Sequence, residues 1–193
     1  MTEPLPPSNR SRVALGLTAA AALGRFELQV CRDCKTVQYP PREACSRCLS
    51  LRLDWALQSG AGELMSETTL LHSHNDYFRE RLPWRLGLIR LKCGPIVVAH
   101  VHGDVPPARA QVRVCARLDK AGQGALMAFP EKETGSMADD RQLREMTCDP
   151  KFRKVFVTDA KSALGQAVVR ELVAARAEIV WAAMGYRRGV ALT

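Results

Sequence analysis

The chain has 193 residues, 47% of them apolar and 25% charged, which is enough to bury a core and too apolar for a disordered polymer. No apolar run reaches the roughly 18 to 20 residues of a membrane-spanning helix, and seven cysteines in a chain of this length do not make a disulfide-stapled miniprotein. The formal charge of +8 points either to a polyanionic partner, the candidate classes being nucleic acid, an anionic membrane surface and a phosphorylated cofactor, or to arginines scattered over a solvated surface.

Residues 1–10, with Pro4, Pro6 and Pro7 among polar neighbours, read as a disordered lead-in. Val13 to Leu23 is an alanine-rich helix ended at Gly24. Arg10 to Leu23 has the look of a signal peptide, but its apolar run is short and export would expose the thiols that follow to oxidation, so a helix before those thiols is the better reading.

Cys31, Cys34, Cys45 and Cys48 then form a C-x2-C-x10-C-x2-C frame. Each C-x2-C pair suits a tight knuckle that turns two sulfurs toward one ion, and the intervening residues suffice for a hairpin that brings the second knuckle opposite the first. Four thiolates close the coordination shell of zinc, leaving no place for a catalytic water, so the metal holds the fold and performs no chemistry. The same ligands would hold iron in a rubredoxin-like site. Cys93, Cys115 and Cys148 are far apart and read as free thiols, which together with a thiolate site indicates a reducing, cytoplasmic setting.

From Leu51 to Phe129 short β-type runs alternate with turn signals. The strands are read at Leu51 to Gln58, Gly62 to His72, Leu86 to Leu91, Ile96 to His102 and Gln111 to Leu118, and five such strands fit a small Greek-key barrel of OB type. Residues 134–150 are charged and rich in breakers, a linker with at most a short helix near Asp139 to Met146. Lys154 to Thr158, Ser162 to Ala175 and Glu178 to Ala183 then read as strand, helix and strand. The expectation is a mainly β protein: lead-in and helix over 1–24, zinc ribbon over 25–50, barrel over 51–133, linker over 134–150 and a partial Rossmann-like βαβ fragment over 151–193.

The order Gly24-Arg25-Phe26-Glu27-Leu28-Gln29 before Cys31, Tyr39-Pro40-Pro41-Arg42 before Cys45, then Leu53 with Trp55, Ser59-Gly60-Ala61-Gly62, His72 and Leu86-Gly87-Leu88-Ile89-Arg90-Leu91 resembles the zinc-ribbon OB-fold family associated with acyl-CoA metabolism, a former domain of unknown function. The resemblance runs from Gly24 to Glu133. It implies a non-catalytic accessory subunit that braces a thiolase-like enzyme, or a hydratase or aldolase, and helps accept the CoA part of its substrate. The chain departs from the family in a shortened N-terminal helical region and in Ala110 where a turn glycine is usual.

A second stretch, Lys154-Val155-Phe156-Val157-Thr158-Asp159-Ala160-Lys161-Ser162-Ala163-Leu164-Gly165, is similar to the opening of short-chain dehydrogenases, whose cofactor loop reads T-G-x-x-x-G-x-G. Only the last glycine is kept. Asp159 and Ala163 put side chains where backbone must approach a pyrophosphate, which argues against NAD(P) and makes the fragment a truncated, degenerate relic.

Three side-chain sets remain. His72/His74 and His100/His102 would hold a second metal only if their strands paired in register; solvent-facing or hydrogen-bonded histidines are the plainer reading. Asp76 and Glu80 near His74 have the residue types of an acid/base pair, and loop charges explain them as well. The segment His74 to Arg85 mixes Tyr77, Phe78 and Trp84 with Arg79, Arg81 and Arg85, a set able to stack on adenine and pair with phosphates, so Arg79, Arg81, Arg85 and Trp84 are the expected CoA contacts. The rival reading, a single-stranded nucleic-acid-binding ribbon and barrel, has the right charge, but only 6% of the chain is aromatic, too little for repeated base stacking.

Overall fold

A computed structural model describes residues 4–107, 109–132 and 140–183. The first part of the expected linker, 134–139 of 134–150, and the last residues of the C-terminal fragment, 184–193, lie outside the described residues. The chain divides into two compact units after Thr147.

In the first unit a single 3-10 turn, Arg12–Ala14, leads into helix α1, Leu15–Ala22. Alanines and leucines favour the helix, and it turns Leu17, Ala20 and Ala21 into the core. It leaves Leu15 and Leu23 exposed.

Strands β1 (Glu27–Cys31), β2 (Val37–Gln38) and β3 (Leu53–Leu57) form a three-stranded antiparallel sheet in the order β2-β1-β3. Here the structure corrects the strand list. The segment read as the first barrel strand pairs along its whole length with β1, Cys31 opposite Leu53 and Glu27 opposite Leu57, and so completes the ribbon.

The closed barrel consists of β4 (Ala61–Leu70), β5 (Trp84–Leu91), β6 (Ile96–Val101), β7 (Gln111–Leu118) and β8 (Gly124–Pro130), in the order β4-β5-β6-β8-β7 with β7 returning to β4. All neighbours are antiparallel except β6 and β8. The fifth strand is thus β8, which the sequence reading left as a turn and its continuation. It lacks period-two alternation because both of its faces are covered: Gly124 to Phe129 are all buried, with α1 packed against β8 on one side. The core joins α1, ribbon and barrel through Leu17, Phe26, Leu28, Leu64, Ile89 and Val112, among others.

Between β4 and β5 the chain makes a short helix α2, Asp76–Arg79, capped by Asn75, whose side-chain oxygen accepts from Phe78 N–H. The expected loop therefore has a helical turn, and Trp84 and Arg85 already belong to β5. Helix α3, Arg141–Met146, buries Leu143 and Met146 in the first unit.

The second unit contains β9 (Lys154–Val157), α4 (Ala163–Ala174) and β10 (Ile179–Ala182), with β9 and β10 parallel. Gly165 is retained for close packing: a Cβ there would lie 1.7 Å from the Asp159 carbonyl oxygen. Asp159 accepts from Ser162 N–H and Ser162 Oγ accepts from Gly165 N–H, so two backbone donors at this turn are taken by the loop's own side chains.

Candidate functional site

The two knuckles repeat one backbone pattern. Lys35 N–H bonds Cys31 C=O and Leu49 N–H bonds Cys45 C=O; Cys31 N–H bonds Thr36 C=O and Cys45 N–H bonds Ser50 C=O. Lys35 and Leu49, each directly after the second cysteine of its pair, occupy the left-handed region with φ 59° and 60°. These matched turns face each other with Cys31 Sγ 3.6 Å from Cys48 Sγ and Cys34 Sγ 3.5 Å from Cys45 Sγ. All four sulfurs lie within 4.8 Å of one another. A tetrahedral ion with metal–sulfur bonds of about 2.3 Å separates its sulfurs by about 3.8 Å, so the cage fits zinc, or iron of the same geometry. Cys34 is lowered to about 6, chiefly by its hydrogen bond with the Thr36 hydroxyl, and Cys31 is lowered first of all by the Cys34 backbone N–H. Both favour the thiolate that a metal needs, whereas Cys48 of the same cage is raised to about 12, so a metal would have to displace its proton.

Behind the knuckles sits a buried amide pair. Gln29 and Gln38 are cross-strand partners, and Gln38 Nε2 donates to Gln29 Oε1 at 3.0 Å. Gln29 Nε2 donates to Arg42 C=O, Arg42 N–H donates to Gln29 Oε1, and Ser46 N–H donates to Gln38 Oε1. These bonds anchor both ends of the segment that leads into the second knuckle. Outside, Arg32 pairs with Asp54 through two nitrogens and Arg52 pairs with Asp33, tying the first knuckle to the region of β3.

The expected CoA contacts are distributed differently. Trp84 is 1% exposed and donates its indole N–H to His100 Nδ1 at 2.7 Å. Tyr77 is fully buried and packs edge-on against Phe78 and Trp84. Arg85 donates to the carbonyls of His102, Gly103 and Val105 and pairs with Glu67 at 2.5 Å, so it clamps the turn after β6. Arg81 lies over the Tyr77 ring, 4.1 Å from its centre, and donates to Tyr77 C=O. Of the four, Arg79 has a widely exposed guanidinium, paired with Asp76 on its own helix. Asp76 and Glu80 thus sit in local ion pairs with Arg79 and Arg81.

The histidine pairs are not assembled. Strand β5 lies between β4 and β6, and His72 and His74 are past the end of β4. Among the described residues the four cysteines make the one group able to hold a metal.

A cavity of about 520 Å³ opens between the N-terminal segment, the Tyr39-Pro40-Pro41 stretch and the barrel. Leu17, Leu70, Phe78, Trp84, Leu86 and Leu126 supply apolar wall, and His100, Tyr39 and Arg10 supply polar groups. Burial, aided by the positive charge of Arg10, lowers His100 to about 4, so the ring is neutral at pH 7. Since Nδ1 accepts from Trp84, that neutral ring carries its proton on Nε2. His100 is thus a hydrogen-bonded strand histidine, the plainer of the two readings; that its partner is a tryptophan 16 residues earlier is a consequence of β5–β6 pairing and has no local signal.

Comparison with known proteins gives consistent results. The family model described as ChsH2, rubredoxin-like zinc ribbon domain, matches residues 18–54, and the model described as ChsH2, C-terminal OB-fold domain, matches residues 55–119. Strand β8 lies beyond the second match. A probable enoyl-CoA hydratase alpha subunit of Thermomonospora curvata is 29% identical over 110 residues, 54% of this chain and 34% of that protein, so the chain spans about a third of the length of the curated relative it matches. A solved structure described as an Ltp2-ChsH2(DUF35) aldolase is similar in fold, with TM-score 0.55 and 23% identity over 65% of this chain and 98% of that one. With a ribbon whose four sulfurs fit a metal, a closed five-stranded barrel, and the two family matches adjoining over 18–119, the chain belongs to the zinc-ribbon OB-fold family.

Proposed function

We propose that the protein is a non-catalytic accessory subunit that binds and stabilises an acyl-CoA enzyme of the thiolase, hydratase or aldolase type and helps accept the CoA moiety. The observation that carries this reading is the pair of adjoining family matches, which name a protein found with an aldolase in one solved structure and are accompanied by a hydratase-subunit relative. The metal cage has four thiolate donors and serves the fold. The outer barrel face offers a docking surface in Leu88 of β5 with Ile96 and Val98 of β6, which are exposed and aliphatic, suited to burial against protein rather than to stacking on bases. Arg79 is the group that meets CoA phosphate, while Arg81, Arg85 and Trp84 hold the loop that presents it. A reducing cytoplasm suits the free thiols and the thiolate cage.

The test is affinity capture from native extract with mass spectrometry, comparing the full chain with a version ending at Thr147, where the first unit ends. Recovery of an acyl-CoA enzyme by both versions is the expected result. Recovery of nucleic acid and its handling proteins in its place would overturn the reading.

A further inference from the structure

The N-terminal segment makes one wall of the cavity beside His100. Pro6 is buried and Pro7 half-buried there, in a cavity whose other walls carry the rings of Tyr39, Phe78 and Trp84. The segment is extended by its own composition. Pro4, Pro6 and Pro7 fix φ at about −65°, and Leu5 and Pro6 each precede a proline, which disfavours the helical region. Ser11, with φ −68° and ψ 152°, still has the polyproline conformation where the 3-10 turn begins. Among the described residues the backbone of 4–10 makes no hydrogen bond to the ribbon or the barrel, so this strap is seated by side-chain packing. The polar lining is mixed: Thr18 Oγ and Asp119 Oδ1 accept from backbone N–H groups, and the charge of Arg10 reaches Tyr39 and His100.

An extended proline-rich chain loses little entropy on docking and offers its rings to aromatic side chains, which is how aromatic-lined grooves recognise such segments. A segment bonded into a sheet would give up its ladder on leaving. This strap gives up only apolar burial, so another chain of the same character can replace it. Val98, 51% exposed, belongs both to the cavity wall and to the aliphatic barrel face, so a longer segment can continue past the strap's own reach. We propose that the groove beneath residues 4–10 is a docking site for an extended, proline-containing segment of another protein, and that the chain's own Pro4-Leu5-Pro6-Pro7 is its built-in competitor. The tether gives the strap an effective concentration on the order of millimolar. It therefore excludes weak ligands and yields to a segment that makes the same proline contacts and others besides. The inference goes beyond the proposed enzyme partnership and does not depend on it.

The probe is a fluorescent peptide of the strap sequence, Pro4 to Arg10, titrated by polarisation into the metal-loaded full chain and into its Pro6→Asp variant, where a carboxylate at a buried position unseats the strap. The native protein should bind the peptide about tenfold more weakly than the variant, because its own strap competes. A peptide carrying the same Pro6→Asp change should bind neither. In the NMR spectrum the ring signals of His100, which lines the groove, should shift with peptide, and those of the exposed His72 and His74 should not. Pro6→Gly with Pro7→Gly, which loosens the strap through chain entropy rather than charge, repeats the test should Pro6→Asp disturb the fold. Equal affinity of native and unseated proteins would overturn the proposal. So would absence of binding to an unseated variant that keeps native metal content and near-ultraviolet circular dichroism. A native dimer in sedimentation that Pro6→Asp converts to monomer would also overturn it, since the groove would then belong to the strap of a second copy.

Discussion

Trp84 and His100 are joined by a 2.7 Å hydrogen bond in which the indole N–H meets Nδ1 of a neutral imidazole, one strand away and inside the cavity wall. Burial ties protonation of His100 to folding. Burial is the main cause that lowers this histidine from 6.5 to about 4. Between those values the unfolded chain takes up a proton that the folded chain refuses, so stability falls as pH drops from 6.5 and levels off below about 4. At about 1.4 kcal/mol per unit the whole loss is on the order of 3 kcal/mol. Urea unfolding from pH 7.5 to 4.5 should show this slope in the native sequence and a shallower one in His100→Gln; equal slopes would refute the assignment.

The metal cage supports more than the ribbon, because Leu28 of β1 and Phe26 before it sit in the same core as the barrel residues. Chelation of the metal, or Cys45→Ser, should therefore lower the unfolding temperature of the whole first unit, with a loss on the order of 3–5 kcal/mol. One metal per chain by elemental analysis is the companion expectation. A barrel that melts unchanged after chelation would show the two parts to be uncoupled.

Gln38→Leu should cost about 2–3 kcal/mol, since Gln29 Oε1 loses a donor and Ser46 N–H loses its acceptor inside the ribbon. Replacing Gln29 and Gln38 together by leucine should cost less than the sum of the single changes, because each change already breaks the shared bond. Chemical denaturation of the four proteins closes the cycle.

Gly16 tests how α1 is seated. Glycine to alanine inside a helix ordinarily stabilises by up to about 1 kcal/mol. Here the new Cβ would lie 2.0 Å from Cε2 of Trp55, so Gly16→Ala should instead destabilise, by about 1–3 kcal/mol, as the ring is forced aside. A thermal melt decides the sign, and near-ultraviolet circular dichroism reports the displaced indole.

Arg79 and Arg85 separate recognition from architecture. Arg79→Ala should change stability by less than about 0.5 kcal/mol, its partner being an exposed Asp76, and should weaken CoA or acyl-CoA binding by the assembled complex. Arg85→Ala strips three carbonyls and Glu67 of their donor and should cost about 2 kcal/mol of stability whatever happens to binding. Unaltered CoA affinity in a well-folded Arg79→Ala complex would remove the loop from the recognition surface.

The four-cysteine cage was legible because its signal is local: four thiols at fixed spacing dictate two turns and a cage. Strand positions from Ala61 to Leu118 also followed from alternation and breakers. The failures lie where tertiary context erased the pattern. Gly124–Pro130 reads as a turn and a continuous apolar run, and becomes a strand because α1 covers a face that would otherwise be polar. Leu53–Leu57 carries strand character without saying which sheet takes it, and only its register with β1 assigns it. The loop aromatics looked available for stacking because polar residues surround Tyr77 and Trp84 in sequence, whereas the folded chain turns both inward. The cavity is assembled from separated stretches and has no contiguous signature.

The seat of α1 also constrains how the protein comes off the ribosome. Gly124 N–H donates to the Thr18 hydroxyl across 106 positions of chain, at the strand that closes the barrel. At about 5–20 residues per second, the newborn helix waits about 5–20 s before its docking strand exists. During that interval Leu17, Ala20 and Ala21 have only part of their final surroundings, β1 and β7 being made before β8. A bulky fusion immediately before the helix would act on this waiting state before it acted on the finished fold.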